Sequence, residues 1–346
     1  MYNIAWTDPA RELLFQAWLA NIAPRHGLNT ATLQVASADA SFRRYLRIFD
    51  TQGRSYIIMD SPPQQLDVRP FVKVAGMLHA AQLNAPAVLE QEVEHGFLLL
   101  SDLGNETYLD AFKNSSFEQA DRLMRAAITA LVQWQVKADA SGLPTFDEAF
   151  LRREMDLFPQ WCVQAQWGIQ WGEREQKYWA SVTAALVQSA LAQPQLAMHR
   201  DYMARNLMHC ETDSPGILDF QDAVCGPISY DMASLLRDAF WSWEEHQELD
   251  WAVRYWEQAR AAGLPVHDDF GEFWRALEWM GLQRHLKIMG LFCRLKIRDG
   301  KAQYFEDLPR FFSYANRVAM RYGPLKPLVR LLEPLSGTAL STALTF

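Results

Sequence analysis

The chain is poor in the features that would place it quickly. It has four cysteines in 346 residues, Cys162, Cys210, Cys225 and Cys293, with no C-x-x-C pair. A disulfide scaffold or a zinc ribbon is excluded, and reduced thiols in a cytoplasmic protein are expected. Positive charge is not in surplus: 33 Lys and Arg stand against 41 Asp and Glu, for a net charge of -8. This argues against a nucleic-acid partner. No uninterrupted apolar run reaches the 18 residues of a membrane span, and the opening MYNIAWTDPARELLF has acids where a secretory signal has an apolar core. The expectation is a cytoplasmic protein without membrane association. Internal repeats, low-complexity tracts and glycine-rich phosphate loops are also missing.

What is present is abundant core material: 49% of the residues are hydrophobic, with 13 Trp and 19 Phe. A chain of this length exceeds one ordinary core and predicts two lobes. Asp8 before Pro9 reads as an N-cap and first helical position, with Leu13, Leu14, Trp18 and Ile22 at helical spacing. Segments 32–37, 42–49 and 55–60 are rich in β-branched and aromatic residues and read as an antiparallel meander. A helix over 70–83 follows, then two strands ending at Asp102-Leu103-Gly104. Beyond Gly104 the pattern is helical: a capping box of Ser115 with Glu118 opens a helix to about residue 139, and further helices cover 147–166 and 173–192. The fold class is therefore α+β, divided into an N-terminal antiparallel-sheet lobe, 1–104, and a larger mainly helical lobe, 105–346.

Between those helices and the strand-like pieces 196–199 and 216–220 lies MHRDYMARNLM, residues 198–208. An aspartate with an asparagine five positions later is, alone, most often a pair of turn-capping residues. Here Asp201 and Asn206 are preceded by His199 and Arg200 and followed by Asp219 in ILDFQD. Phosphoryl transfer from ATP needs a carboxylate to orient the acceptor hydroxyl and hard oxygens to hold Mg²⁺ on the phosphates. Asp201 suits the first role, and Asn206 with Asp219 suits the second.

HRDYMARN followed by ILDFQDAVCGPISYDMASLLRD resembles the phosphotransferase family that contains aminoglycoside and choline kinases. Within it, SADASFRRYLRI, MDSPP, GFLLLSDLG and RHLKIMGLFCRLKIRDGK are similar to the kinases acting on the anomeric hydroxyl of N-acetylmuramate and N-acetylglucosamine. The resemblance spans about residues 10–330. It implies a bilobal protein-kinase-like fold, ATP and Mg²⁺, Asp201 as base, Asn206 and Asp219 on the metal, and the backbone of Ser101, Asp102 and Leu103 at the adenine. Asp231, in GPISYDMA, matches a position that supports the catalytic loop.

The chain departs from the broader kinase pattern in two linked places. SYIIMD carries no lysine to pair the phosphates, and 70–83 carries no glutamate to partner it. Either activity is lost, leaving a nucleotide-binding scaffold, or another cation substitutes. Arg43, Arg44 and Arg47 follow a short Ser/Ala loop and are the candidate replacement cations, with Ser41 and Phe42 beside them at the nucleotide; Arg44 is foremost because it shares a strand face with Phe42 and Leu46 while Arg43, Tyr45 and Arg47 share the other, and Lys73 is the reserve. The same arginines also fit a solvated strand edge.

From Ala276 to Tyr322 nine Lys and Arg oppose four Asp and Glu. Helical projection places Arg284, Lys287, Arg294 and Arg298 on one face, to meet an anionic group or to face solvent. Candidate substrate contacts are Arg200, Gln221, Asp222, Arg284 and His285. The resemblance implies an ATP-dependent kinase of the anomeric hydroxyl of N-acetylmuramate and N-acetylglucosamine; no obligate protein partner is expected, and a kinase of an aminoglycoside or amino alcohol is the alternative.

Overall fold

The computed structural model describes Ile4, Trp6 and residues 8–37 and 43–336. In chain order the elements are α1 Pro9–His26, β1 Leu28–Ser37, β2 Arg44–Asp50, β3 Ser55–Asp60, α2 Arg69–Ala80, β4 Val88–Glu92, β5 Phe97–Ser101, α3 Tyr108–Asn114, α4 Phe117–Lys137 and α5 Glu148–Met155. A π-helical stretch, Phe158–Gln166, follows, then α6 Glu173–Leu191, β6 Gln195–Met198, β7 Leu207–Met208, β8 Gly216–Ile217, β9 Val224–Pro227, α7 Tyr230–Leu236, α8 Glu245–Ala261, α9 Phe270–Asp299, α10 Leu308–Arg321 and α11 Pro327–Ser336. Contacts divide the chain into two compact units: Met1–Ser115 with Asn206–Asp222, and Ser116–Arg205 with Ala223–Phe346. Among the described residues no helix is long and apolar enough to cross a membrane.

The first unit is built on a five-stranded sheet of order β1-β2-β3-β5-β4, antiparallel throughout. Asp8 caps α1 by accepting from the Ala10 N–H at 2.9 Å, as the Asp-Pro pair predicts. The buried stripe of α1 is Phe15, Leu19, Ile22 and Ala23, a register that leaves Leu13 and Leu14 exposed rather than in the core. It packs on Leu46 and Ile48 of β2 and on Ile58, Phe97 and Leu99. The segment 216–220, expected as a strand, is one only over Gly216–Ile217: Asp219 has φ 58°, a left-handed conformation that cannot continue a ladder.

The second unit is helical around α9. Ser116, not Ser115, caps α4, accepting from the Gln119 N–H at 3.3 Å; Ser115 instead ends α3. The helix expected over 147–166 breaks after α5 into the π-helical turn at Phe158, next to Pro159, whose missing N–H cannot serve an α ladder. Its neighbour is Gly290 of α9, where a Cβ would lie 2.2 Å from the Leu157 carbonyl carbon, so only glycine permits that approach.

Candidate active site

In the second unit, β6 pairs with β9 and delivers the chain to His199. There it reverses through Arg200, at φ 76°. Such a conformation is costly for a side-chain-bearing residue and persists only where its surroundings hold it. The holder is Asp231, in the first turn of α7, whose carboxylate accepts from the His199 N–H at 2.7 Å and the Arg200 N–H at 2.9 Å. Asp238, unnoticed in the sequence, does the same downstream, accepting from Ala204 N–H at 2.7 Å and from Phe240 N–H at 2.7 Å. Burial pushes the carboxyls of Asp231 and Asp238 above their ordinary range, although these N–H donors and nearby cations act the other way. The Tyr202 hydroxyl donates to the Ala127 carbonyl of α4 at 2.8 Å, fixing the segment from below.

Asp201 stands on that loop, its N–H donating to His199 Nδ1 at 3.2 Å. Burial works to raise its pKa, but Lys287, Arg284, Arg200 and His199 outweigh burial and hold the carboxylate below its ordinary range. It is thus an ionised acceptor.

The cations come from a network that sequence alone did not disclose. Glu154 of α5 is buried and receives Arg200 Nη2 at 3.0 Å, Lys287 Nζ at 2.8 Å and Gln283 Nε2 at 3.3 Å. Arg284 donates from Nη1 to the Arg200 carbonyl at 2.9 Å and lies over the Tyr230 ring. The predicted basic face of α9 therefore divides: Arg284 and Lys287 point inward at the loop, whereas Arg298 is exposed and pairs with the adjacent Asp299. Arg284 clamps backbone rather than offering an open contact to a sugar. His285 is likewise corrected: it is 1% exposed and packed between Phe311 and Tyr314, where burial foremost drives its pKa well down and keeps the ring neutral. No face of it is left for a substrate.

In the first unit, Asn206 ends a short 3₁₀ turn and Asp219 lies just beyond β8. They meet: Asn206 Nδ2 donates to Asp219 Oδ2 at 3.4 Å, while Gln221 Nε2 donates to Oδ1 at 2.8 Å. The Leu218 N–H donates to the Asn206 carbonyl at 2.9 Å, and Phe220 packs on Phe71 of α2 with ring centroids 4.7 Å apart, so the two segments are tied together. An amide oxygen and an exposed carboxylate make a hard donor set suited to Mg²⁺, which keeps several waters. A half-turn of the Asn206 amide presents Oδ1 in place of Nδ2. The Gln221 Oε1, buried and without a hydrogen-bond partner among the described residues, adds a third oxygen beside Asp219. Gln221 thus supports Asp219 rather than standing open as a sugar contact; Asp222 next to it is exposed.

Of the predicted nucleotide contacts, Ser41 and Phe42 lie outside the described residues. Arg43 is half-buried just before β2. The Arg44 face of β2 is not the open one expected. Leu46 and Ile48 on it are covered by α1, and Arg44 donates to Asp60, which Arg11 of α1 also binds through Nε at 2.8 Å. Two apolar residues on one strand face demand a cover, and the arginine that precedes them on that face is drawn to the buried carboxylate. On the opposite face Arg47 bonds Asp102. Ser101 accepts the Ala87 N–H at 2.8 Å, and Leu103 touches so closely that a Cβ at Gly216 would lie 2.8 Å from its Cδ1. Lys73 is exposed on α2. A surface cavity of about 530 Å³ lined by Ser189, Gln193, Phe273 and Trp279 contains none of the predicted residues.

An antiparallel five-stranded sheet unit carrying an Asn-Asp pair and a helix-rich unit carrying a carboxylate on a strained loop are the parts of a protein-kinase-like phosphotransferase. The profile of the phosphotransferase enzyme family matches residues 32–270, and the chain belongs to that family. It is 47% identical over 308 residues to an N-acetylmuramate/N-acetylglucosamine kinase of Pseudomonas putida, covering 89% of each chain. To a kinase of the same name from Neisseria meningitidis it is 44% identical, over 97% of this chain and 99% of that one. Among solved structures, the ADP-bound aminoglycoside phosphotransferase APH(2'')-Ib shares the fold at 14% identity with a TM-score of 0.58, covering 86% of this chain and 97% of that one.

Proposed function

We propose that the protein is an ATP-dependent kinase that phosphorylates the anomeric hydroxyl of N-acetylmuramate and N-acetylglucosamine. The observation that carries the reading is the Asp201 loop, whose carboxylate is kept ionised by Lys287, Arg284, Arg200 and His199 on a backbone held by two buried aspartates. Such a group accepts the hydrogen bond of an alcohol and aims its oxygen at a phosphorus atom. The near-half identity with kinases named for these two sugars supports the acceptor.

In this reaction the sugar O1 forms a bond to the γ-phosphorus of ATP, the bond from that phosphorus to the β,γ-bridging oxygen breaks, and ADP departs with the electron pair. The hydroxyl proton passes to Asp201. Because the carboxylate is a weak base, its main contribution is orientation. Asn206 and Asp219, with Gln221 fixing the Asp219 carboxylate, would hold Mg²⁺, which would supply charge neutralisation on the phosphates. The nucleotide is assigned to the first unit, with Ser101, Asp102 and Leu103 at the adenine and Arg43 or Lys73 toward the phosphates in place of the absent lysine.

The test is ATP consumption against a panel of amino sugars, neutral sugars, amino alcohols and aminoglycosides, with the product position read by phosphorus NMR. An anomeric phosphate on both named sugars, lost by a factor of about 10³ in Asp201→Asn while ATP binding persists, is expected. ATP binding without turnover on any alcohol makes the protein a nucleotide-binding scaffold and overturns the reading.

A further inference from the structure

Under the function proposed above, on which this inference rests, the acceptor is one of two sugars. N-acetylglucosamine is neutral; N-acetylmuramate is the same sugar with a lactyl ether that adds one carboxylate. A site that serves both has to offer a cation to the second without leaving it bare and desolvated under the first, since an unpaired charge away from water is strongly disfavoured.

The surroundings of Asp201 contain such a device. Lys287 Nζ binds Glu154 Oε1 at 2.8 Å and reaches the Tyr230 hydroxyl at 3.5 Å. An ammonium has three N–H donors, and no third partner exists among the described residues. Its side chain remains 15% exposed, against 7% for the glutamate beneath it. Arg284 is differently placed, almost wholly buried and turned to the Arg200 carbonyl. Glu154 itself is held from two further directions by Arg200 and Gln283, so its charge stays compensated when Lys287 turns to another anion.

We propose that Lys287 is a specificity-determining residue that receives the lactyl carboxylate of N-acetylmuramate, and that Glu154 is its resident counter-ion when N-acetylglucosamine is bound.

Two further observations fit. Lys287 is the foremost cation acting on the Asp201 carboxylate, so it lies within electrostatic reach of the place assigned to the anomeric hydroxyl. It also remains an ammonium: burial lowers its pKa, but Tyr230, Glu154 and Asp201 together raise it above the ordinary value. Charge complementarity of this kind selects between acceptors that a neutral pocket treats alike.

Initial rates of the full chain with ATP and each sugar test the assignment in wild type, Lys287→Met and Lys287→Arg. The ratio of kcat/KM for N-acetylmuramate to that for N-acetylglucosamine is expected to fall about tenfold or more in Lys287→Met, chiefly through KM, and to return most of the way in Lys287→Arg. Should Lys287→Met fold poorly, the double variant Lys287→Met with Glu154→Gln removes both charges of the pair, and the same ratio is read. Loss by one common factor on both sugars overturns the inference while leaving the proposed function intact. A wild-type chain that phosphorylates neither sugar overturns the function and this inference with it.

Discussion

Arg47 donates from Nε to Asp102 Oδ2 at 2.5 Å and from Nη2 to the Gly104 carbonyl at 2.9 Å, so a single guanidinium from β2 holds the turn that follows β5. Its Nη1 reaches Asn105 as well. Asp102 completes the turn by accepting the Gly104 N–H at 3.0 Å. The kinase-like lysine and glutamate pair is absent from this unit, and a fixed arginine-carboxylate pair occurs instead at the segment assigned to adenine. Arg47→Met is therefore expected to raise KM for ATP by about tenfold while KM for the sugar changes less than about threefold, because loosening the turn disturbs one ligand only. Equal changes in both constants would show that the turn is not a nucleotide contact.

Arg44 has the opposite assignment. Its partner Asp60 is fully buried, and Arg11 from α1 shares that carboxylate. Arg44→Met should lower stability by about 1–3 kcal/mol, read as a fall in Tm, by leaving a buried carboxylate short of a donor. Turnover by the folded variant should stay within about threefold of wild type. A collapse of turnover at unchanged Tm would return Arg44 to the phosphate site.

These two arginines show what the sequence disclosed and what it withheld. Alternation along β2 correctly separated Arg44 from Arg47, since strand periodicity is local. Which face is open was not legible, because that depends on α1 landing over Leu46 and Ile48. Asp8 before Pro9 announced the start of α1, and Ile22 and Trp18 lie on its core side as expected, but Leu13 and Leu14 are exposed while Phe15 and Leu19 are buried. The segment 198–208, to which catalysis is assigned, could be picked out from spacing within one short stretch. Glu154 was not, because its three partners come from α9 and the Asp201 loop, and no local pattern marks a carboxylate for distant cations. The same holds for His285, whose polar identity suggested a ligand while tertiary packing placed it in the core.

The pH dependence follows from the Asp201 loop. Its carboxylate titrates below the ordinary aspartate value of 3.8, and Glu154 below 4.5. A lowered folded pKa gives stability that is present above the unfolded value and lost as pH falls through the folded one. Asp231 and Asp238 have the reverse sign: their raised folded values favour the protonated anchor below 3.8 and lose that contribution as pH rises through those values. At neutral pH the ionised Asp201 is fully populated. The profile of kcat/KM should therefore show no acid limb from Asp201 above about pH 5. An acid limb centred between about 5 and 7 on a chain that remains folded would contradict an Asp201 held ionised by Lys287, Arg284 and Arg200.

Asp219 offers the sharpest separation of metal binding from folding. It is exposed, and its backbone is left-handed at φ 58°, a conformation that asparagine accepts at least as readily as aspartate. Asp219→Asn thus keeps the turn, the bond from Leu218 N–H to the Asn206 carbonyl and the packing of Phe220 on Phe71, so Tm should move by no more than a degree or two. What it removes is the anionic oxygen of the proposed Mg²⁺ site. Half-maximal activity should then require about tenfold or more Mg²⁺, with the sugar KM little altered. Gln221→Leu is the graded companion. It deletes the 2.8 Å bond to Asp219 Oδ1 but leaves the charge, and should shift the Mg²⁺ requirement by a smaller factor in the same direction. The order wild type, Gln221→Leu, Asp219→Asn in rising Mg²⁺ requirement is the signature of a carboxylate ligand held by its neighbour. An unchanged Mg²⁺ requirement in a folded Asp219→Asn chain would remove this residue from the metal and leave the left-handed turn without a functional reason.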